Sequence, residues 1–284
     1  MSGETLSDLM RRGAEKLQNA GLEDPRGEVR RLLCLVTGYT PATLIAKEQD
    51  PTTDDLRTGF DLALGLRAER HPFAHIAGRA DFFGLELWSD GRALVPRADS
   101  ECVVELALSL IPKDANWHLA DLGTGSGALL AALLSQRPET AGTAIDLNRE
   151  ALSLAAENFA HLQLGERIEL LRGSWAGWTG WGACDLIISN PPYICSDVIP
   201  DLEPEVRDYD PVDALDGGPD GLDAYREIIT LAAQQMKSGA YLVLEIGYDQ
   251  KSAVTELLEA AGFTEFEHRK DLGGNDRAIA VKKS

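Results

Sequence analysis

The chain of 284 residues predicts an α/β fold: a mostly parallel sheet with an antiparallel last strand, preceded by a small helical domain. Three observations carry this. After Ser100, strand-like and helix-like stretches alternate, the pattern of a parallel sheet with helices on both faces. Before about residue 70 only helical periodicity appears. The last two strand-like stretches have no helix between them, which predicts an antiparallel hairpin at the sheet edge.

The elements follow in order. Leu6, Leu9, Met10, Ala14 and Leu17 fall on one helical face, and Gly21 is a stop signal. Asp24-Pro25 starts a second helix, striped by Val29, Leu32, Leu33 and Val36 and stopped at Gly38. A third covers about residues 54–69. Residues 1–72 are expected to form a helical substrate-recognition domain. Residues 73–96, with aromatics and glycines at turn spacing, are expected to form a hairpin or linker. His71 and His75 stand four apart beside Pro72 and read as structural histidines, not a metal pair.

Residues 97–284 are the second domain. Strands are expected at 118–123, 141–146, 168–173, 184–189 and 240–247, then in 263–269 and 277–283. Helices are expected at 128–136, 149–162, about 222–236 and about 250–261. Residues 197–223 carry ten acidic side chains and one arginine among prolines and glycines. They read as an irregular excursion, and loops of that length in compact domains usually serve function or are disordered.

The bulk numbers exclude several classes. Net charge is 27 − 46 = −19 at pH 7, with no basic stripe. Duplex nucleic-acid binders draw most of their affinity from basic side chains on phosphate. The acidity therefore weighs against DNA or naked RNA as the main substrate and favours a protein partner. No apolar run approaches 18 residues, so no membrane span is expected. Cys34, Cys102, Cys184 and Cys195 have neither zinc-site nor disulfide spacing, which suits a reducing cytoplasm.

Two motifs carry chemistry. Residues 121–127, DLGTGSG, follow a strand and open a helix; Gly123, Thr124, Gly125, Ser126 and Gly127 let backbone approach a ligand closely. Asp146 ends the next strand, where a carboxylate can accept both ribose hydroxyls of a nucleoside ligand. Gly123, Gly125 and Ala128 also fit the spacing of dinucleotide-binding loops, so this loop alone leaves a dehydrogenase and a methyltransferase both open. The second motif, Asn190-Pro191-Pro192-Tyr193, ends a buried strand. The prolines alone suit any strand end, but a turn has no need of a phenol ring directly after them. All these positions follow strand ends and so face one crevice.

Asn190-Pro-Pro-Tyr after the fourth such strand resembles the signature of enzymes that methylate planar nitrogens with S-adenosylmethionine. The whole chain resembles the HemK/PrmC-type protein-(glutamine-N5) methyltransferases, which act on peptide-chain release factors. The likeness covers the helical N-terminal region, VPRADSE (95–101), DLGTGSG, NPPYI, EPEVRDYDPVDALDGGPDGLDAYR (203–226) and DLGGNDR (271–277). It departs at Ala98, where the family has proline, and at Ser100, where it has threonine.

The resemblance implies a Rossmann-like S-adenosylmethionine-dependent methyltransferase fold; the free thiols point to a cytoplasmic enzyme, the charge to no direct DNA binding, and a monomer is expected. The resemblance also implies methyl transfer to the glutamine N5 in the Gly-Gly-Gln motif of class 1 release factors. A ribosomal-protein glutamine is the alternative, then adenine or guanine nitrogen in nucleic acid. It places the cofactor against Gly123, Thr124, Gly125, Ser126, Gly127, Asp146, Trp175 and Asn190. The target amide falls to Asn190, Pro191, Pro192 and Tyr193, with Asn190, Pro191 and Tyr193 catalytic. Trp178 and Trp181 read as hydrophobic cover, and Cys195 as packing. Arg97 and Glu101 lie in a block placed near the cofactor, although an ion pair explains them equally well.

Overall fold

A computed structural model describes residues 4–284. The chain divides into two units, one running to Gly78 and including Pro204–Tyr209, the other comprising Arg79–Glu203 and Asp210–Ser284.

The first unit is helical: α1 (Leu6–Asn19), α2 (Pro25–Thr37), α3 (Pro41–Ala46), α4 (Asp54–Ala68) and α5 (Phe73–Ala77). Thr5 and Asp8 form a capping box at the start of α1, satisfying two otherwise orphaned N–H groups. Asp24 caps α2 with Pro25 in its first turn, and Gly38 closes it at φ +69°. Leu9, Leu17, Leu32, Leu33, Leu44, Phe60 and Leu64 form its core. The periodicity marks α1, α2 and α4; the six-residue α3 and five-residue α5 are too short to show a repeat.

The second unit begins with an antiparallel hairpin, β1 (Arg79–Phe82) and β2 (Leu85–Trp88). Its turn residues Phe83 and Gly84 both have positive φ, the conformation that matches strand twist in two-residue turns. Next come α6 (Glu101–Leu110), β3 (His118–Leu122), α7 (Ala128–Gln136), β4 (Ala141–Asp146), α8 (Arg149–His161), β5 (Ile168–Arg172) and β6 (Leu186–Ser189). After the helical turn α9 (Pro204–Arg207) follow α10 (Asp223–Gln235), β7 (Tyr241–Glu245), α11 (Lys251–Ala260), β8 (Phe266–Lys270) and β9 (Asp276–Lys282).

The sheet has seven strands in the order β5-β4-β3-β6-β7-β9-β8. The first five are parallel, and β9 runs antiparallel to both β7 and β8. The expected terminal hairpin is present, with the last strand inserted inside β8. Side chains alternate across the sheet: Leu186 and Ile188 enter one core with α6, α7 and Phe159, while Ile187 enters the other with Tyr225, Ile228 and Trp181. Helices thus cover both faces.

Helix α6 has no strand-helix rhythm to announce it. Cys102, Val103, Val104, Leu106 and Ala107 are buried, while Glu105 and Ser109 are exposed on the opposite face. Among the described residues no helix is long and apolar enough to cross a membrane.

Candidate active site

Strand register builds the site. Leu122 pairs with Ile145 on one side and with Ser189 on the other. Gly123, Asp146 and Asn190 are therefore the next residues of three adjacent parallel strands, all at their carboxyl ends. Strand β3 lies between β4 and β6, so the chain crosses in opposite directions on its two sides. This is the switch point where open α/β sheets leave a crevice.

A cavity of about 310 Å³ occupies that position, and Gly123, Gly125, Asp146, Trp175, Asn190 and Pro192 line it. Thr124, Ser126 and Gly127 lie behind the wall. Gly123, Gly125 and Gly127 have φ of +69°, +55° and +83°, a region open to glycine at no steric cost. At Gly127 a Cβ would also meet the Phe159 ring at 2.6 Å. The Thr124 hydroxyl donates to Asp121 Oδ2 at 2.7 Å. Ser126 offers its carbonyl to Asn158 Nδ2 at 2.9 Å, and the same buried amide receives the Trp88 N–H at 2.7 Å. Asn158 thereby ties the hairpin to the glycine loop.

Asp146 accepts the Gly125 N–H at 2.9 Å on Oδ2 and the Asn148 N–H at 2.8 Å on Oδ1. Burial raises its pKa, and the backbone N–H groups of Asn148 and Gly125 hold it down in part. A carboxylate has about four lone-pair sites, so two remain for a ligand. The Trp175 ring lies by Gly123, within 3.7 Å of where a Cβ would stand. Its indole N–H donates to Glu227. Trp181 is buried and donates to the Trp175 carbonyl at 3.0 Å, with Trp178 packed 5.7 Å from it.

In the second motif Asn190 is half-buried, Pro191 buried and Tyr193 half-buried. Among the described residues no hydrogen bond joins the Asn190 side chain to the protein. Tyr193 does not line the cavity; its hydroxyl donates to Glu245 Oε1 at 3.2 Å. Burial lifts the Glu245 carboxyl to about 7, while Ser100, Arg277 and Tyr193 pull it down. The same lack of solvent pushes the Tyr193 phenol up.

The acidic excursion packs back onto this motif. Ile194 N–H donates to Leu215 O at 2.9 Å and Gly217 N–H to Ile194 O at 2.8 Å. A Cβ on Gly217 would stand 2.8 Å from the Pro192 carbonyl. Pro211, Asp213 and Ala214 complete the cavity wall. Within the helical unit, Glu205 bridges Arg67 at 2.8 Å and Arg70 at 2.5 Å, while Tyr209 donates to Glu69 O at 2.7 Å.

Arg97 and Glu101 are both structural. Arg97 pairs at 2.6 Å with Asp210, whose side chain is 0% exposed, and Glu101 accepts the Phe83 N–H at 2.8 Å. Neither lines the cavity. The His71 ring packs 4.2 Å from Tyr209. Sequence reasoning missed Asn158, Asp210 and Glu245, each of which works through a partner distant in the chain. Glu245 alone stood out locally, as a carboxylate inside an aliphatic run, whereas Asn158 and Asp210 sit among other polar residues and gave no signal.

Residues 8–78 match the PrmC N-terminal domain family, and residues 101–199 match the methyltransferase small domain family. A release factor glutamine methyltransferase from Caulobacter vibrioides is 40% identical, over 95% of this chain and 93% of its own length. The chain belongs to the release factor glutamine methyltransferase family. Another member, from Agrobacterium fabrum, is 36% identical over 98% of both chains. Two solved structures share the fold. The hMettl16 catalytic domain, crystallised with a MAT2A 3′UTR hairpin, matches with TM-score 0.57 and 14% identity over 78% of this chain and 82% of that one. A methyltransferase from Pyrococcus furiosus matches with TM-score 0.52 and 18% identity over 71% and 90%.

Proposed function

We propose that this enzyme transfers a methyl group from S-adenosylmethionine to the side-chain amide nitrogen of the glutamine in the Gly-Gly-Gln motif of class 1 release factors. Family membership supports the reaction. The observation that carries the residue assignment is the Asn190 side chain: it borders the cavity, beside Gly123 and Asp146, with its amide uncommitted to the protein. An asparagine that served only the turn would hydrogen-bond its own backbone.

The cavity fits the cofactor. Asp146 has acceptor sites left for ribose hydroxyls, Trp175 offers an aromatic face, and Gly123 and Gly125 present backbone without side chains. Thr124, Ser126 and Gly127 shape that loop from behind. The cofactor, when bound, supplies a methyl group on an electrophilic sulfonium.

The chain must supply alignment and a favourable field, because an amide nitrogen is a weak nucleophile. Asn190 Oδ1 and the Pro191 carbonyl each accept one N–H of the target amide. Both dipoles then stabilise positive charge developing on nitrogen. Pro191 and Pro192 fix these carbonyl directions and add no competing donor. The Tyr193 ring bounds the amide plane and attracts the growing cation. The proton leaves after transfer, so no general base is required.

The helical unit recognises the protein substrate, and the enzyme works as a cytoplasmic monomer without binding DNA. The charge of −19 agrees with a protein substrate in preference to nucleic acid. The deciding experiment offers labelled methyl donor to release factor, ribosomal protein and tRNA in parallel. Label on the release-factor glutamine alone is the expected result; label on either other substrate overturns the assignment.

A further inference from the structure

The VPRADSE and DLGGNDR blocks contribute no residue to the cavity wall, yet an ion pair between Asp99 and Arg277 joins them at 3.6 Å. Ser189 pairs with Leu244, so Asn190 and Glu245 are the next residues of neighbouring strands. Glu245 is 2% exposed. One of its oxygens receives the Tyr193 hydroxyl at 3.2 Å, and the other, Oε2, is buried without a hydrogen bond. Arg277, its side chain 11% exposed, stands in the field of both Glu245 and Tyr193. It is held by Asp271 at 3.2 Å and by Asp99 at 3.6 Å. Asn275 N–H donates to Asp271 at 2.9 Å, which fixes that carboxylate in turn.

The backbone of Tyr193 is anchored as well. Gln250 Nε2 donates to the Tyr193 carbonyl at 2.9 Å and to Gly221 O at 3.2 Å. Ring tip and main chain are thus both held by side chains outside the motif. For stability alone, a buried carboxylate with one oxygen unsatisfied is a poor choice beside a packed aliphatic residue. Its placement at the hydroxyl of the second motif's aromatic ring suggests a different service.

We propose that Glu245 is a positioning residue that sets the Tyr193 ring against the target amide through the hydroxyl–carboxylate hydrogen bond. This rests on the methyl-transfer reading above. If the hydrogen bond is the means, losing either end gives the same defect, and losing both adds nothing further.

The test compares Tyr193→Phe, Glu245→Leu, Glu245→Gln and the Phe/Leu double variant by single-turnover rate on release factor, KM for release factor and calorimetric affinity for S-adenosylmethionine. Tyr193→Phe and Glu245→Leu should each slow turnover roughly 10- to 100-fold through misalignment. Cofactor affinity should stay within about twofold, because neither residue lines the cavity assigned to the cofactor, and KM for release factor should change less than turnover, because Tyr193→Phe keeps the ring that bounds the amide. Glu245→Gln retains an acceptor and should stay within about threefold of wild type. The double variant should match the slower single. Multiplying defects, a Gln variant as slow as the Leu variant, or wild-type turnover in Tyr193→Phe overturns the inference. If Glu245→Leu fails to fold, the Tyr193→Phe and Glu245→Gln pair still decides. A wild-type enzyme inactive on release factor overturns the functional reading and this inference together. An active wild type with unaffected variants overturns this inference alone.

Discussion

Asp146→Ala should damage cofactor binding by an amount the local hydrogen bonds allow to be worked out. Of roughly four acceptor sites on the carboxylate, Gly125 N–H at 2.9 Å and Asn148 N–H at 2.8 Å take two. The rest are available to ribose hydroxyls. Losing charge-assisted hydrogen bonds of this kind costs roughly 1.5–3 kcal/mol. At tenfold per 1.4 kcal/mol, affinity for S-adenosylmethionine should fall roughly 10- to 150-fold. The variant also removes a structural acceptor. Asn148 N–H is exposed and recovers water, but Gly125 N–H is partly buried and loses its partner. A stability loss of about 1 kcal/mol should accompany the binding defect. Asp146→Asn keeps one oxygen for Gly125 and should lose less of both. Calorimetry with S-adenosylmethionine, alongside melting curves, measures the two effects. A folded Ala variant with wild-type affinity refutes the assignment, and tight binding of a nicotinamide dinucleotide by the wild type transfers the glycine loop to dehydrogenase chemistry.

At the clamp, Asn190→Ala should cut single-turnover rate roughly 10²–10³-fold. Asn190→Asp keeps an acceptor and should fall between alanine and wild type; an alanine variant with full turnover ends the clamp mechanism. Burial lifts Asp121 from 3.8 to about 7, so between those values the folded chain binds a proton that the unfolded chain has released. Stability should therefore fall as pH rises through that window and level off above it. Asp121→Asn should flatten the slope, and melting temperatures across the window that stay as steep as wild type contradict this. Glu205→Ala removes the acceptor shared by Arg67 and Arg70, whose side chains are 10% and 18% exposed. A loss of about 2–3 kcal/mol is expected in denaturant unfolding; an unchanged midpoint shows the bridge to be inert.

Some of this enzyme was legible in sequence because its determinants are local. DLGTGSG needs left-handed backbone at Gly123, Gly125 and Gly127, and glycine announces that conformation wherever the chain folds. Asp146 and Asn190 were placed at strand ends because a buried parallel strand is a short aliphatic run, and a polar residue closing it marks its carboxyl end. The alternating rhythm gave the helix-flanked sheet, and the missing helix before the last strand gave the antiparallel edge.

Tertiary structure decided what depends on partners far apart in the chain. Strand order is one such case: nothing in residues 266–282 says that β9 lies between β7 and β8. Helix α6 escaped notice because it precedes the first strand of the sheet, outside the alternation by which the other helices were read, although Glu101, Glu105 and Ser109 give it a polar face. The acidic excursion looked uniform, yet residues 204–209 pack with the helical unit while Pro211, Asp213 and Ala214 line the cavity. Arg97 gained its meaning only from Asp210, and Glu245 only from Tyr193, 113 and 52 residues away. A buried charge is tolerable only beside a compensating group. Sequence shows the charge, but only the packed sheet determines which group stands beside it.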